Sequence, residues 1–315
     1  MDYKELVVKS FRLVWRHKWL WVFGLFAGGG GFGGNFNFNP GSQNSWNRNS
    51  WKSNGADPRM EAFVAHAGRW VSANIGLIVL FAGLLFLFFF ALAVFSIISQ
   101  GALVSAADSL DKDEEASFGR SFRVGLANFW SVIGFGLLLF LIILAPVFVI
   151  GMMLAVSVAA GGPFVALLFI PLIFLFIPAV LVLGMMSVLG LRIIVIDGQG
   201  AASAVPQSWR LLWRRIGPVI ITWLIHMGLA IAFGLVLVTA LLFLAVPVGI
   251  AAYLAFRNGF NLVKLAVFVF IGLVIFAAFL VAVAAFGAYQ STYWTLAYRQ
   301  LKGLDAPPVE AEAAA

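Results

Sequence analysis

The sequence predicts an all-α membrane protein, a transmembrane bundle of about six spans, and three observations predict it. Of the 315 residues, 63% are hydrophobic and 10% are charged, with a mean hydropathy of +1.02; soluble domains hold about 45–50% apolar and about 25% charged residues. Asp, Glu, Lys and Arg are absent from four blocks, 70–107, 124–191, 216–256 and 265–298, and about 20 residues at 1.5 Å rise suffice to cross a hydrocarbon layer of roughly 30 Å. Within these blocks Leu, Val, Ile, Phe and Ala lie all round the helical wheel rather than in one stripe, as expected of helices surrounded by lipid and by each other. A water-soluble fold is excluded.

Taken in chain order, the first element is an amphipathic helix. Glu5, Lys9, Arg12 and Arg16 share one face, while Val7, Phe11 and Val14 lie largely on another, the pattern of a helix lying in the membrane interface. The first hydrophobic segment, 19–34, is short and ends in GGGGFGG, so it either spans or re-enters. Counting Lys and Arg favours crossing: with it, fourteen lie on the cytoplasmic side and six outside; without it, nine lie inside and eleven outside. Both termini are then cytoplasmic and the chain is a multi-pass protein of the cell membrane. A cleaved signal peptide is the competing reading, with a long n-region and no A-x-A site against it.

Residues 35–56 are rich in Asn, Gly and Ser and read as a flexible external loop. Asp57 and Pro58 then start a helix, with Met60, Phe63, Val64, Ala67, Trp70 and Val71 at helical spacing. The remaining spans are expected at 74–100, 130–159, 164–190, 217–245 and 264–296, kinked at Pro146, Pro171 and Pro178. Ala230-x-x-x-Gly234, Ala278-x-x-x-Ala282 and Ala284-x-x-x-Ala288 permit close helix approach, within the chain first and between copies second. Residues 305–315 read as a disordered cytoplasmic tail after a single membrane domain, 1–304.

That domain carries an internal similarity. Residues 9–17 (KSFRLVWRH) align with 207–215 (QSWRLLWRR), pairing Ser10 with Ser208, Arg12 with Arg210, Leu13 with Leu211, Trp15 with Trp213 and Arg16 with Arg214. A weaker copy, RSFRVGLANFW at 120–130, retains Ser121, Phe122 and Arg123. Three parallel repeats, 1–108, 109–200 and 201–304, are expected, each an interfacial helix followed by a two-span hairpin; convergence of three juxtamembrane helices on one composition is the alternative. The basic residues Lys9, Arg12, Arg16, Arg120, Arg123, Arg210, Arg214 and Arg215 are candidate contacts for lipid headgroups, anionic ones included.

The S-[FW]-R-[LV] helices, the HKWLWVFG start at 17–24 and the IDGQGAASAVPQSWR connector at 196–210 resemble a broad, poorly characterised group of bacterial six-span membrane proteins. That group includes free-standing relatives of the membrane domain fused to some glycerophosphodiester phosphodiesterases. The resemblance implies a membrane location. No stretch of this sequence corresponds to the soluble phosphodiesterase domain, so it brings no catalytic residue.

Site chemistry is sparse. With zero cysteines, disulfides, iron–sulfur clusters and thiol catalysis are excluded. His17, His66 and His226 are widely separated and lack metal-ligand spacing, and no cofactor is expected. His226 is read as the one titratable group at membrane depth, a functional candidate by default or an imidazole hydrogen-bonded to a neighbouring helix. Gln290, Ser291 and Thr292 near the inner end of the last span either line a small cavity or bond between helices. Asp108, Asp111, Lys112, Asp113, Glu114 and Glu115 lack calcium-loop spacing and read as a solvated linker. The Gly28–Gly34 run lacks the Lys-Ser/Thr of a phosphate loop, and no G-x-S-x-G occurs.

The net charge of +7 sits beside hydrophobic spans, which points to membrane lipids and not to nucleic acid as the partner. A membrane-protein partner or a second copy is the other candidate. The functional expectation is a non-enzymatic membrane protein that organises lipids or partners. A transporter or flippase of an apolar or amphiphilic molecule is the alternative, and an intramembrane enzyme comes third, for want of a clustered nucleophile, base or metal.

Overall fold

A computed structural model of the chain describes residues 2–29, 66, 68–161, 170–257, 259 and 261–303. Every element in them is helical: α1 (Tyr3–Arg16), α2 (Leu20–Gly24) continued by a π-helical turn (Leu25–Gly29), α3 (Ile75–Asp111), α4 (Phe118–Ala127), α5 (Phe129–Gly161), α6 (Ile170–Asp197), α7 (Ala201–Arg214), α8 (Ile216–Arg257) and α9 (Leu262–Lys302). Five of these, α3, α5, α6, α8 and α9, are long and apolar enough to cross a membrane. The chain is an integral membrane protein built as an all-α bundle.

The helices outrun the expected spans. At 42 residues, α8 is about 60 Å long, twice the hydrocarbon thickness, and runs on through Pro247 to Arg257. α5 and α6 run unbroken through Pro146 and Pro178, and Pro171 falls in the first turn of α6, where no intrahelical donor is lost. In the doubtful first segment, residues 20–29 are helical and 30–34 lie outside the described residues. The 35–56 loop, the Asp57–Pro58 start and the 305–315 tail also lie outside them, while 66 and 68–73 of the helix expected there are helical.

Packing concentrates at one end. The buried residues of α3 fall between Ser96 and Asp108, and those of α9 between Val283 and Leu301; their other halves, such as Leu84 to Phe90, are exposed. Lipid solvates such side chains as well as a protein core does, so close contact has to come from small residues. Gly24 lies against Ala284 and Ala288, where any Cβ would fall on the Ala284 carbonyl oxygen. Gly125 meets Ile98 and Ala102 in the same way, and Gly190 lies under the Phe135 ring. Of the three small-residue pairs singled out in the sequence, Ala284 and Ala288 are buried inside the chain, while Ala278 and Ala282 line an apolar groove.

The three short helices lie at this packed end. α1 packs on α9, α4 on α3, and α7 on α5 and α6; Phe118 at the start of α4 also stacks on Phe23 of α2 at 4.4 Å. Each short helix thus packs chiefly on long helices other than the one it leads into. Asp2 caps α1 by accepting from the backbone N–H of Lys4 and Glu5, both at 3.0 Å, and Ser117 caps α4. The helices bury equivalent positions: Leu6, Ser10 and Val14 in α1, Ser121 and Gly125 in α4, and Ala204, Ser208 and Leu212 in α7.

Candidate functional site

A charged layer closes the packed end. The Arg299 guanidinium of α9 donates through Nη1 to Asp108 and through Nε to Asp111 of α3, both at 2.7 Å. Lys112 adds 2.6 Å to Asp108, and Lys9 of α1 adds 2.5 Å to Asp111. On the neighbouring helix, Asp197 of α6 accepts from the Tyr298 hydroxyl at 2.7 Å and from Lys302 at 2.5 Å. This corrects the reading of a solvated linker at Asp108 and Asp111, while Lys112, Asp113, Glu114 and Glu115 are exposed. Asp108 and Asp111 belong to the last turn of α3, where α1 and α9 exclude water and supply the cations that buried carboxylates require.

Six of the eight candidate headgroup residues, Arg12, Arg16, Arg123, Arg210, Arg214 and Arg215, are exposed, and their side chains make no hydrogen bond or ion pair with a described residue. Lys9 is committed to Asp111, and Arg120 donates to the Glu115 carbonyl oxygen at 3.0 Å. Beside these cations stand outward-facing aromatic pairs one helical turn apart. Phe11 and Trp15 stack at 5.6 Å in α1, and Trp209 and Trp213 meet edge to face at 5.4 Å in α7; all four are about half exposed. Each pair borders an apolar groove. Phe11 and Trp15 roof about 710 Å³ between α8 and α9, against Leu229, Phe233 and Ala282. Trp209 roofs about 530 Å³ between α5 and α6, against Ile142, Pro146 and Val182.

Further into the bundle lies a polar cavity of about 190 Å³. His226 of α8 and Gln290 and Ser291 of α9, the embedded polar residues singled out in the sequence, all line it, together with Gln100 of α3 and Arg192 of α6. The His226 ring lies 6.0 Å from Tyr293 and 5.7 Å from Trp294, and its Nδ1 is buried without a partner. Arg192 is 5% exposed. It donates through Nη1 to the Val188 carbonyl at 2.8 Å and through Nη2 to the Ser291 carbonyl at 3.3 Å, while Nε has no partner. Thr292 is buried beside the cavity with its hydroxyl oxygen unpartnered.

Arg192 is thus a second titratable group at depth beside His226. Sequence counting placed it in the cytoplasmic collar because it follows an uncharged block. The signal that could have found it is the apolar run Ile193 to Ile196 that comes after it, which carries the helix on to Asp197 and leaves the guanidinium roughly 7 Å inside the helix end.

A family model described as a family of unknown function (DUF7544) matches residues 7–301. No curated protein and no solved structure is significantly similar to the chain.

Proposed function

We propose, from the premise that this chain belongs to the DUF7544 family of unknown function, that it is a non-enzymatic membrane protein that gathers anionic lipids around its packed end. The reading is carried by the twin faces of α1 and α7. Each sets two exposed arginines without a side-chain partner among the described residues, Arg12 and Arg16 or Arg210 and Arg214, beside an exposed aromatic pair of which Phe11 and Trp15 in α1 and Trp209 in α7 border an apolar groove. Guanidinium groups bind phosphate through forked hydrogen bonds, aromatic rings settle at headgroup depth, and a groove under them accepts acyl chain. The positive charge puts this end in the cytoplasmic leaflet of the cell membrane.

The test is thermal unfolding of the chain in nanodiscs of phosphatidylcholine with and without phosphatidylglycerol. The parent gains stability from the anionic lipid, and R12E/R16E/R210E/R214E loses most of the gain, with each charge near the surface contributing about 1 kcal/mol. An equal response of the two chains to phosphatidylglycerol would rule the reading out.

A transporter or flippase of amphiphiles is the second reading, favoured by the polar cavity at depth. Coupling to ions usually draws on carboxylates inside the membrane, whereas Asp108, Asp111 and Asp197 stand at helix ends, each already bound to a cation. Movement of fluorescent lipid across liposomes containing the protein, absent from empty ones, is the result this reading expects.

A further inference from the structure

We infer that the cavity at Arg192 is a binding site for the monoanionic oxyanion head of an amphiphile, a phosphodiester or a carboxylate, drawn from the leaflet at the packed end. It is a different site from the surface arginines of α1 and α7 and does not depend on their role.

A guanidinium buried to this degree is expected to have an anionic partner, because an unpaired charge away from water is costly. Among the described residues the chain does not supply one: there Arg192 bonds only to two neutral carbonyl groups, and its Nε–H is unused. The nearest carboxylates along the bundle are committed elsewhere: Asp108 and Asp111 to Arg299, Lys112 and Lys9, and Asp197 to Tyr298 and Lys302.

The space fits such a head. A water molecule takes up about 30 Å³ of liquid, so 190 Å³ admits a group of several non-hydrogen atoms but not a large ligand. Gln100, Gln290 and His226 surround it with neutral groups able to donate, and none of the described residues lining it is a carboxylate. With one fixed positive charge, a single negative charge neutralises the site, whereas a phosphate monoester would leave excess negative charge in the bundle. Depth then selects an amphiphile over a free ion. By helical rise, Gln100 lies roughly 12 Å from Asp108 and Gln290 roughly 13 Å from Arg299, and Ala27, Val188 and Leu191 complete the wall. A headgroup that keeps its chains in lipid reaches this point without leaving the membrane.

The experiment is thermal unfolding of the full chain in nanodiscs of phosphatidylcholine alone, with phosphatidylglycerol, with oleate, or with inorganic phosphate added to the buffer, supported by native mass spectrometry of retained lipid. The parent is expected to retain one phosphatidylglycerol or oleate at least tenfold more tightly than phosphatidylcholine, and inorganic phosphate to add nothing. R192M removes the uncompensated charge, so in phosphatidylcholine it unfolds at or above the parent temperature while losing the one tightly held amphiphile; the part of the phosphatidylglycerol response that belongs to the surface arginines remains. Q290L leaves the charge in place and weakens retention several-fold, which keeps the test available should R192M fail to fold. R12Q/R16Q/R210Q/R214Q keeps the one tightly held amphiphile. The inference is overturned if R192M and Q290L retain the anionic amphiphile as the parent does, if inorganic phosphate stabilises as strongly as the amphiphiles, or if the parent shows no preference for them over phosphatidylcholine.

Discussion

Ser10 of α1 and Ser208 of α7 are both completely buried, at 0% exposure, and hold the same place in their helices. Each donates its hydroxyl to a carbonyl of its own helix, Ser10 to Leu6 at 2.7 Å and Ser208 to Val205 at 2.9 Å. Each is followed directly by the first member of an outward aromatic pair. A hydroxyl satisfied within its own turn adds no bulk and leaves no orphaned donor, so the helix can lie close on the long helices beneath while its other face stays free for lipid.

Enlarging that contact should therefore cost stability without touching the lipid-facing side. Ser10→Leu and Ser208→Leu are each expected to destabilise by about 1–3 kcal/mol through overpacking, read as a lowered unfolding temperature in detergent. Because the sites are on different helices with different neighbours, the double variant should show the sum. A strongly non-additive result would mean that the two helices share a contact.

Arg299 joins α9 to α3 through two carboxylates. Arg299→Met leaves Asp108 and Asp111 each with one lysine, Lys112 and Lys9, and cuts the guanidinium link between α9 and α3, so it is expected to cost about 1.5–3 kcal/mol, as for hydrogen bonds to charged groups. Adding Asp108→Asn and Asp111→Asn should recover nothing, since each carboxylate still has a lysine partner to lose. Thermal melts of the three chains decide this, and recovery on neutralising the carboxylates would contradict it.

Glycine requirements should follow backbone proximity, not helix membership. Gly24→Ala and Gly125→Ala place a methyl on a facing backbone and should lower the unfolding temperature by several degrees. Gly76→Ala and Gly272→Ala meet nothing within 4 Å and should leave it unchanged or raised. Equal effects at all four positions would count against the close approach of α2 to α9 and of α4 to α3.

Much of the architecture was legible because long uncharged blocks have one physical solution in lipid, and the amphipathic faces around Arg12 and Arg210 stand out against them. The ends of the helices were less legible. Asp108 and Asp111 look solvated in a sequence whose next residues are Lys112, Asp113, Glu114 and Glu115, and only the approach of Lys9 and Arg299 from distant parts of the chain makes them structural. Arg192 escaped for the opposite reason, since a basic residue beside a span is ordinarily a collar. His226, Gln290 and Ser291 were recognisable one by one, but that they share a cavity with Arg192 and Gln100 depends on four helices meeting, which no local pattern encodes.

The most direct test uses the lack of native cysteine. Single cysteines at Arg12, Arg123 and Arg214, one on each short helix, and one at Arg257, at the far end of α8, are labelled in intact cells and in inverted vesicles with a membrane-impermeant maleimide. Arg257→Cys should react from outside only, and the other three from the cytoplasmic face only. Reaction of Arg12→Cys, Arg123→Cys or Arg214→Cys on the opposite side from the other two would break the common face on which this account depends.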